Sequence, residues 1–247
     1  MELSVEPDAA ATAAVVADRL LEACCQDRPL GLATGRTMEP VYAALAGRWS
    51  ALPAGERCRL TGRWCSFNLD EYVGLASGDP RSFHAFMAVH LVDPLGLNRQ
   101  QVHLPDGGAT DPDAEARRYR AELQAAGGIG LQLLGLGLNG HVGFNEPPCG
   151  ADSRCRALAL SATTRAQNAA DFGGDPAAVP ARAITLGLAE ILAAERILLV
   201  VTGQRKAPIL RRLLEGGPSS ELPASWLRRH PAVSVIADRA AAPWLQG

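Results

Sequence analysis

Short apolar runs typical of buried strands alternate with amphipathic helical segments along almost the whole chain. Strands are predicted at residues 29–33, 63–69, 102–104, 130–134, 157–160, 196–201 and 232–237. Helices are predicted at residues 5–27, 38–48, 82–92, 112–126, 183–193 and 205–215, with shorter helical segments at 165–170 and 223–229. This alternation predicts an α/β fold: a doubly wound, mostly parallel, Rossmann-like sheet with helices on both faces, in a single domain over residues 1–247.

Composition excludes several classes of protein. The net charge is −2, which offers no basic surface for nucleic acid or an anionic membrane. No apolar run is long enough to span a bilayer, and the acidic amino terminus does not resemble a secretory signal. The cysteines form no CxxC pair, which argues against a zinc site. We therefore expect a cytoplasmic globular protein without nucleic-acid or membrane partners.

Polar residues cluster at the ends of four predicted strands, at residues 34–37, 70–72, 139–146 and 202–206. In an open parallel sheet, the carboxyl ends of the strands lie along one edge, which is where such folds bind their ligands. The sequence therefore predicts that the four clusters converge on one site.

Residues 134–147 read LGLGLNGHVGFNEP, a strand end that opens into a glycine-rich turn. This turn displays Asn139, His141 and Glu146 within a few residues. A carboxylate beside an imidazole can fix the tautomer and orientation of the ring, so His141 and Glu146 are predicted to act as a base and its orienting group. The segment does not fit a dinucleotide-binding fingerprint, because after Gly135 and Gly137 the next glycine comes at position 140, and no acidic residue closes a second strand about 20 residues on.

Two elements are candidates for binding a phosphate. Thr34-Gly35-Arg36-Thr37 joins a predicted strand to a helix, where backbone N–H groups and hydroxyls suit an anion. This loop is not a nucleotide P-loop, which requires Gly-Lys-Ser/Thr. The other element ends at Lys206, the only lysine among 24 basic residues, at the start of a predicted helix. A compact ammonium at a helix start would attract the same anion.

Asp70 and Glu71 lie at a predicted strand end, and adjacent strand residues point to opposite faces, so at most one should enter the cleft. A carboxylate there can accept a proton from a carbon next to a carbonyl. No G-x-S-x-G element and no convincing Ser or Cys nucleophile is present. Proton transfer on a phosphorylated small molecule therefore fits better than acyl transfer.

Four motifs together resemble one enzyme family. These are NLDEYVGL at residues 68–75, SFHAFM at 82–87, GLNGHVGFNEP at 137–147 and TG-x-x-K ending at Lys206. The chain resembles the glucosamine-6-phosphate deaminases from about residue 30 to residue 237, and residues 184–206 with the later LPASWL are similar to the galactosamine-6-phosphate deaminase/isomerase branch. The resemblance implies conversion of an amino-sugar phosphate to fructose 6-phosphate plus ammonia, in amino-sugar catabolism, without a metal or an organic cofactor.

The resemblance also implies residue roles. Asp70 would be the proton acceptor that enolises the open-chain sugar, and His141 would assist ring opening, supported by Asn139 and Glu146. The groups implied to hold the 6-phosphate are Thr34, Gly35, Arg36, Thr37 and Lys206.

The chain departs from the family pattern at several positions. Some members carry Asp at the position of Asn139, and an Arg that often contacts the phosphate corresponds here to Ala170. Arg36, where the family usually has a small residue, is the candidate to compensate. The chain also ends soon after its last predicted strand, without the extension of the allosteric hexameric members, and their effector-site residues are mostly replaced. We therefore expect a monomer or small homo-oligomer that amino sugars do not activate.

Two alternatives share this fold. One is 6-phosphogluconolactonase, which typically has Ser-Leu-Phe-Pro where residues 144–147 read FNEP, and which lacks the tyrosine found here as Tyr72. The other is a non-catalytic sugar-phosphate-binding domain, for which no accompanying DNA-binding segment is evident.

Overall fold

A computed structural model describes residues 1–245. The ten strands are β1 (Glu2–Glu6), β2 (Leu30–Leu32), β3 (Ser66–Asn68), β4 (Asp70–Tyr72), β5 (Val102–His103), β6 (Leu131–Gly135), β7 (Arg156–Ala159), β8 (Arg182–Thr185), β9 (Arg196–Val201) and β10 (Val233–Asp238). Seven of them form a parallel sheet in the order β1-β10-β9-β6-β2-β3-β5. The predicted α/β class with a mostly parallel sheet is confirmed.

The α-helices are α1 (Ala9–Ala23), α2 (Glu39–Ala51), α3 (Ala54–Arg63), α4 (Phe83–Met87), α5 (Asp93–Leu95), α6 (Pro112–Ala125), α7 (Ala162–Asn168), α8 (Leu188–Leu192) and α9 (Ala207–Glu215). A π-helical turn, Ala88–Val92, links α4 to α5, and a 3₁₀ turn, Gln204–Lys206, precedes α9. Several helices begin where a side chain caps the free N–H groups; Asp8, Ser82, Asp111 and Ser161 do this for α1, α4, α6 and α7.

The strand order places a topological switch point between β2 and β6. From β2 the chain continues to β3 and β5 on one side, whereas from β6 it continues to β9 and β10 on the other. The loops that leave the carboxyl ends of β2 and β6 therefore turn away from each other and leave a crevice between them.

A second sheet, antiparallel and ordered β4-β8-β7, begins just past the carboxyl end of β3, where the chain passes from β3 into β4. Leu69 joins the two sheets. Its N–H donates to Leu32 O at 2.9 Å at the end of β2, and its carbonyl accepts from Leu186 N at 2.7 Å, just past β8. The backbone that precedes Asp70 is thereby held to both sheets.

Two predicted helices are wrong in part. The helix predicted at 5–27 is strand β1 followed by α1, which begins after Asp8. The helix predicted at 183–193 is strand β8 followed by the short α8. Gly187 separates the latter two, and a Cβ there would lie 2.1 Å from Ser153 O. Helix α3 was not predicted.

The core is continuous from α1 through the large sheet to α9, and it includes β9, which is buried from Ile197 to Val201. Residues of a second, smaller apolar cluster surround the antiparallel sheet and include Tyr72, Phe144 and Phe172. Among residues 1–245, no helix is both long and apolar enough to cross a bilayer.

Candidate active site

A cavity of about 220 Å³ opens at the switch point between β2 and β6. Its walls are the loop after β2, the start of β4, the loop after β6 and the segment at the end of α7. Three of the four polar clusters contribute lining residues, which are Thr34, Gly35, Arg36, Thr37, Asp70, Tyr72 and His141. Stretches far apart in sequence thus meet at one cavity.

Asp70 is the acidic group deepest in this cavity wall, with only 6% of its surface exposed. Burial, followed by the negative charge of Glu71, raises the pKa of Asp70 to about 8. The backbone at Gly143 packs close to it, since a Cβ there would lie 3.4 Å from Asp70 Oδ2. A carboxyl group with a pKa near neutrality can both accept and return a proton.

Glu71 points away from the cavity, as the alternation of strand residues requires. Its carboxylate accepts hydrogen bonds from Tyr72 N (2.8 Å), Phe83 N (3.0 Å) and His84 N (2.9 Å), and lies 2.9 Å from His84 Nδ1. Of the two adjacent acids, therefore, only Asp70 reaches the cavity.

The imidazole of His141 is held by Asn139. Nδ1 of the ring lies 2.6 Å from Asn139 Oδ1, which also accepts from the His141 backbone N–H at 3.2 Å. An amide oxygen can only accept, so Nδ1 carries the proton and Nε2 is left as the basic nitrogen of the neutral ring. Desolvation lowers the pKa of His141 to about 4; Glu146 opposes this shift, and Lys206 adds to it.

Gly137 makes room for this ring. A Cβ at residue 137 would lie 2.4 Å from three atoms of the His141 imidazole, and the two backbones are joined by a hydrogen bond of 2.9 Å from Gly137 N to His141 O. The first residue of the turn therefore has to be glycine for the ring to occupy its place.

Glu146 does not orient His141 as the sequence led us to expect. Its carboxylate accepts from Ser161 N at 2.9 Å and from the hydroxyls of Ser161 and Thr164, at the start of α7. Partial burial opposes ionisation, but these hydrogen bonds lower the pKa of Glu146 overall. Glu146 therefore anchors α7 and acts on His141 through its charge, while Asn139 makes the orienting contact.

We call Arg36 and Lys206 the cationic end of the site, although Lys206, from the fourth predicted cluster, is not among the residues that line the cavity and acts on His141 through its charge. Arg36 lines the cavity from the loop after β2, and no hydrogen bond or ion pair joins it to another side chain in the described part of the chain. Lys206 lies half-buried in the 3₁₀ turn after β9. The pKa of Lys206 is lowered to about 8, chiefly by desolvation and then by the positive charges of Arg205 and Arg36. Two neighbouring cations without a bound anion repel each other, which favours binding of an anion between them.

One wall of the cavity consists of residues for which the sequence predicted no role. It is formed by aromatic side chains from three elements and by polar residues from α7 and the 3₁₀ turn that follows, namely Tyr72, Phe83, Phe144, Gln167, Asn168 and Asp171. Asn168 Nδ2 donates to the Tyr72 hydroxyl at 2.9 Å. The run of polar residues in the predicted helical segment 165–170 was the available signal for this wall.

Within residues 1–245, no group of three or more His, Cys, Asp or Glu side chains is arranged to hold a metal ion.

Comparison with known proteins agrees with this geometry. Residues 6–236 match the family model described as glucosamine-6-phosphate isomerases/6-phosphogluconolactonase. A glucosamine-6-phosphate deaminase of Rhodopirellula baltica is 41% identical over 99% of this chain and 96% of its own length. Glucosamine-6-phosphate deaminase 2 of Bacillus subtilis is 39% identical over 90% of this chain and 87% of its own length.

Solved structures give the same result. A monomeric glucosamine-6-phosphate deaminase superimposes with a TM-score of 0.89 at 35% identity, covering 98% of this chain and 99% of its own. A 6-phosphogluconolactonase of Trypanosoma brucei superimposes with a TM-score of 0.74 at 21% identity over 99% of this chain and 98% of its own, a likeness of fold alone. Because the family model matches residues 6–236, nearly the whole of this chain, the chain belongs to the glucosamine-6-phosphate isomerase/6-phosphogluconolactonase family.

Proposed function

We propose that this protein is a deaminating aldose–ketose isomerase. It converts glucosamine 6-phosphate, or its 4-epimer galactosamine 6-phosphate, to the ketohexose 6-phosphate and ammonia. The observation that carries most weight is that Asp70 and His141 line one cavity together with the loop 34–37. The relatives named glucosamine-6-phosphate deaminase, about 40% identical over most of the chain, support the same reaction.

The phosphate of the substrate binds at the cationic end. Thr34, Gly35 and Thr37 supply backbone N–H groups and hydroxyls, and Arg36 and Lys206 supply the charge. In this role Arg36 replaces the charge that Ala170 cannot provide. Binding the dianion satisfies a guanidinium that has no acidic partner among the described residues.

His141 opens the sugar ring. Because Nδ1–H donates to Asn139, the neutral ring presents Nε2 as a base throughout the pH range above about 4. It takes the proton from the C1 hydroxyl and returns it to the ring oxygen, which breaks the C1–O5 bond and leaves the aldehyde. Glu146 favours the transient imidazolium through its charge.

Asp70 then moves a proton between two carbons. As a carboxylate it takes the proton from C2 of the open-chain aldehyde while a proton of the C2 ammonium group passes to O1, which gives a neutral enolamine. It then returns the C2 proton to C1. The C2 iminium that results reacts with one water molecule, so the C–N bond is broken, ammonia leaves and a ketone remains at C2. The net reaction is an isomerisation coupled to hydrolysis.

The same proposal extends to the biological setting. The enzyme works in the cytoplasm, as a single domain over residues 1–247, in amino-sugar catabolism that includes the use of N-acetylglucosamine. It is a monomer or a small homo-oligomer, which is supported by the monomeric state reported for the solved deaminase.

Ammonia release from both epimers, measured beside hydrolysis of 6-phosphogluconolactone, tests the function. We expect ammonia and a ketohexose 6-phosphate in equal amounts from at least one epimer, and slow or absent lactone hydrolysis. Lactone hydrolysis without ammonia release would establish the lactonase alternative, and tight sugar-phosphate binding without either product would establish a binding domain.

A further inference from the structure

Glu71 is a fully buried acid directly next to the proposed base, yet it faces away from the cavity. Only 1% of its side chain is exposed, and no arginine or lysine contacts it among the ion pairs of the described residues. Its partner is His84, whose side chain is 28% exposed. A buried carboxylate is costly unless hydrogen bonds satisfy its oxygens.

Four hydrogen bonds satisfy this carboxylate. Oε1 accepts from Tyr72 N and Phe83 N, and Oε2 accepts from His84 N and contacts His84 Nδ1. Three of the four donors are backbone amides, and two of these lie in the first turn of α4. The position of Glu71 is therefore fixed by the main chain at Tyr72 and at the start of α4.

We propose that Glu71 is a positioning residue for Asp70: its fixed carboxylate holds the start of β4 against α4 and places a negative charge behind Asp70 that makes the latter a stronger base. This inference rests on the proposed function of Asp70. Burial raises the pKa of Asp70 most, and the negative charge of Glu71 raises it further.

Other charged or titratable groups surround the two acids. On the Glu71 side they are His84 and Glu115, the latter paired with Arg118. On the Asp70 side they are Tyr72, Tyr119 and, across the cavity, His141, Arg36 and Asp171. Glu115 is neutralised by its own arginine, and Glu71 is the charge among the described residues that raises the pKa of Asp70.

The pH profile of kcat/KM in Glu71→Gln tests this role. Removing the negative charge makes Asp70 easier to ionise, so the acid limb of the profile should move to lower pH by roughly one unit. A merely structural role would lower kcat/KM at every pH and leave the limb in place. A limb that stays at its wild-type position, or moves to higher pH, in folded Glu71→Gln would overturn the proposal.

A second pair of variants decides the matter if Glu71→Gln folds poorly. His84→Lys places a permanent positive charge beside Glu71 without altering the backbone bonds that hold it, and should also move the limb to lower pH. His84→Asn keeps a neutral donor for Glu71 and should leave the limb where it is. If the acid limb of the kcat/KM profile lies at the same pH in these two variants, the proposed effect of the Glu71 charge is contradicted.

Titration of the Asp70 carboxyl by ¹³C NMR in the substrate-free protein gives a readout that does not depend on turnover. The pKa of Asp70 should fall in Glu71→Gln and in His84→Lys, but not in His84→Asn. If the wild-type protein releases no ammonia yet these shifts occur, the proposed function fails and the relationship between Glu71 and Asp70 stands. If the wild type is active and no shift occurs, only this inference fails.

Discussion

Asn139 Oδ1 lies 2.6 Å from His141 Nδ1, and this one contact fixes which nitrogen of the imidazole is basic. An aspartate at position 139, as in some family members, would add a charge that favours the imidazolium. The neutral amide keeps the geometry without that charge. Together with desolvation, this leaves His141 uncharged at neutral pH, with its pKa at about 4.

Two substitutions at position 139 separate geometry from charge. Asn139→Asp should raise the pKa of His141 above about 4, because a carboxylate beside Nδ1 favours the charged ring. Asn139→Leu should lower kcat roughly 3–10-fold, the effect of one lost hydrogen bond. NMR titration of the ring nitrogens and steady-state kinetics measure these effects. An unchanged pKa in Asn139→Asp would show that the carboxylate does not reach the ring.

Gly137→Ala should displace the His141 ring, because the added Cβ would lie 2.4 Å from its atoms. We expect kcat to fall at least about tenfold with little loss of fold, as catalysis depends on the placement of the reacting groups. Gly47→Ala, in helix α2 where a Cβ meets nothing within 4 Å, is the matched control and should keep full activity. Equal kinetics in the two variants would mean that the ring can move without consequence.

Asp70→Asn should abolish turnover, by about 10²–10⁴-fold, while sugar-phosphate binding remains. The same change should stabilise the protein at alkaline pH. The folded-state pKa of Asp70, about 8, exceeds the ordinary value of 3.8, so the wild type loses stability as pH rises between these values. Asparagine removes that loss.

Thermal unfolding of wild type and Asp70→Asn at several pH values measures this difference. The melting temperature of the variant should exceed that of the wild type by more than about 2 °C above pH 8, with a gap that narrows towards acid pH. A gap that is constant with pH would mean that Asp70 titrates normally in the folded protein.

Lys206→Ala should raise KM with little change in kcat, as expected when an interaction is made equally in the ground and transition states. Arg36→Ala should also raise KM. In addition it should raise the pKa of Lys206 above about 8, since Arg36 is one of the causes that lower it.

KM measured across the alkaline range checks both effects, with Arg36→Lys as the variant that keeps the charge. In Arg36→Ala, the increase in KM caused by deprotonation of Lys206 should begin at higher pH than in the wild type. A loss confined to kcat in either variant would argue against a role in holding the phosphate.

Local sequence pattern predicted most of the fold where each element is buried by its own neighbours. Strand β9 is predicted and observed at Arg196–Val201, and α6 differs from its prediction by one residue. The errors fall where distant partners decide the structure. β1 is an edge strand that pairs with β10, from the other end of the chain. β8 is a strand because β4 and β7 pair with it, whereas its own apolar sequence leads, past Gly187, into the apolar helix α8 and resembles a helical segment.

The sequence predicted correctly which of several residues line the cavity, but it predicted less well which of them contact one another. Their positions after predicted strands indicated that Asp70, His141 and the 34–37 loop belong to one site, and these residues do line one cavity. Sequence proximity suggested Glu146 as the partner of His141, but the turn directs that carboxylate to α7 instead. Which polar group in a short turn meets which neighbour depends on backbone torsions such as the positive φ of Gly140 and Gly143, and composition does not determine these.

Leu69 holds the backbone that leads into Asp70. With its N–H bonded to Leu32 and its carbonyl to Leu186, the residue before Asp70 is tied to the end of β2 and to the residue after β8. A proton transfer between neighbouring carbons requires a donor and an acceptor that change relative position by about one bond length. In the mechanism proposed above, the substrate, tethered by its phosphate and mobile at its other end, is therefore the partner that shifts.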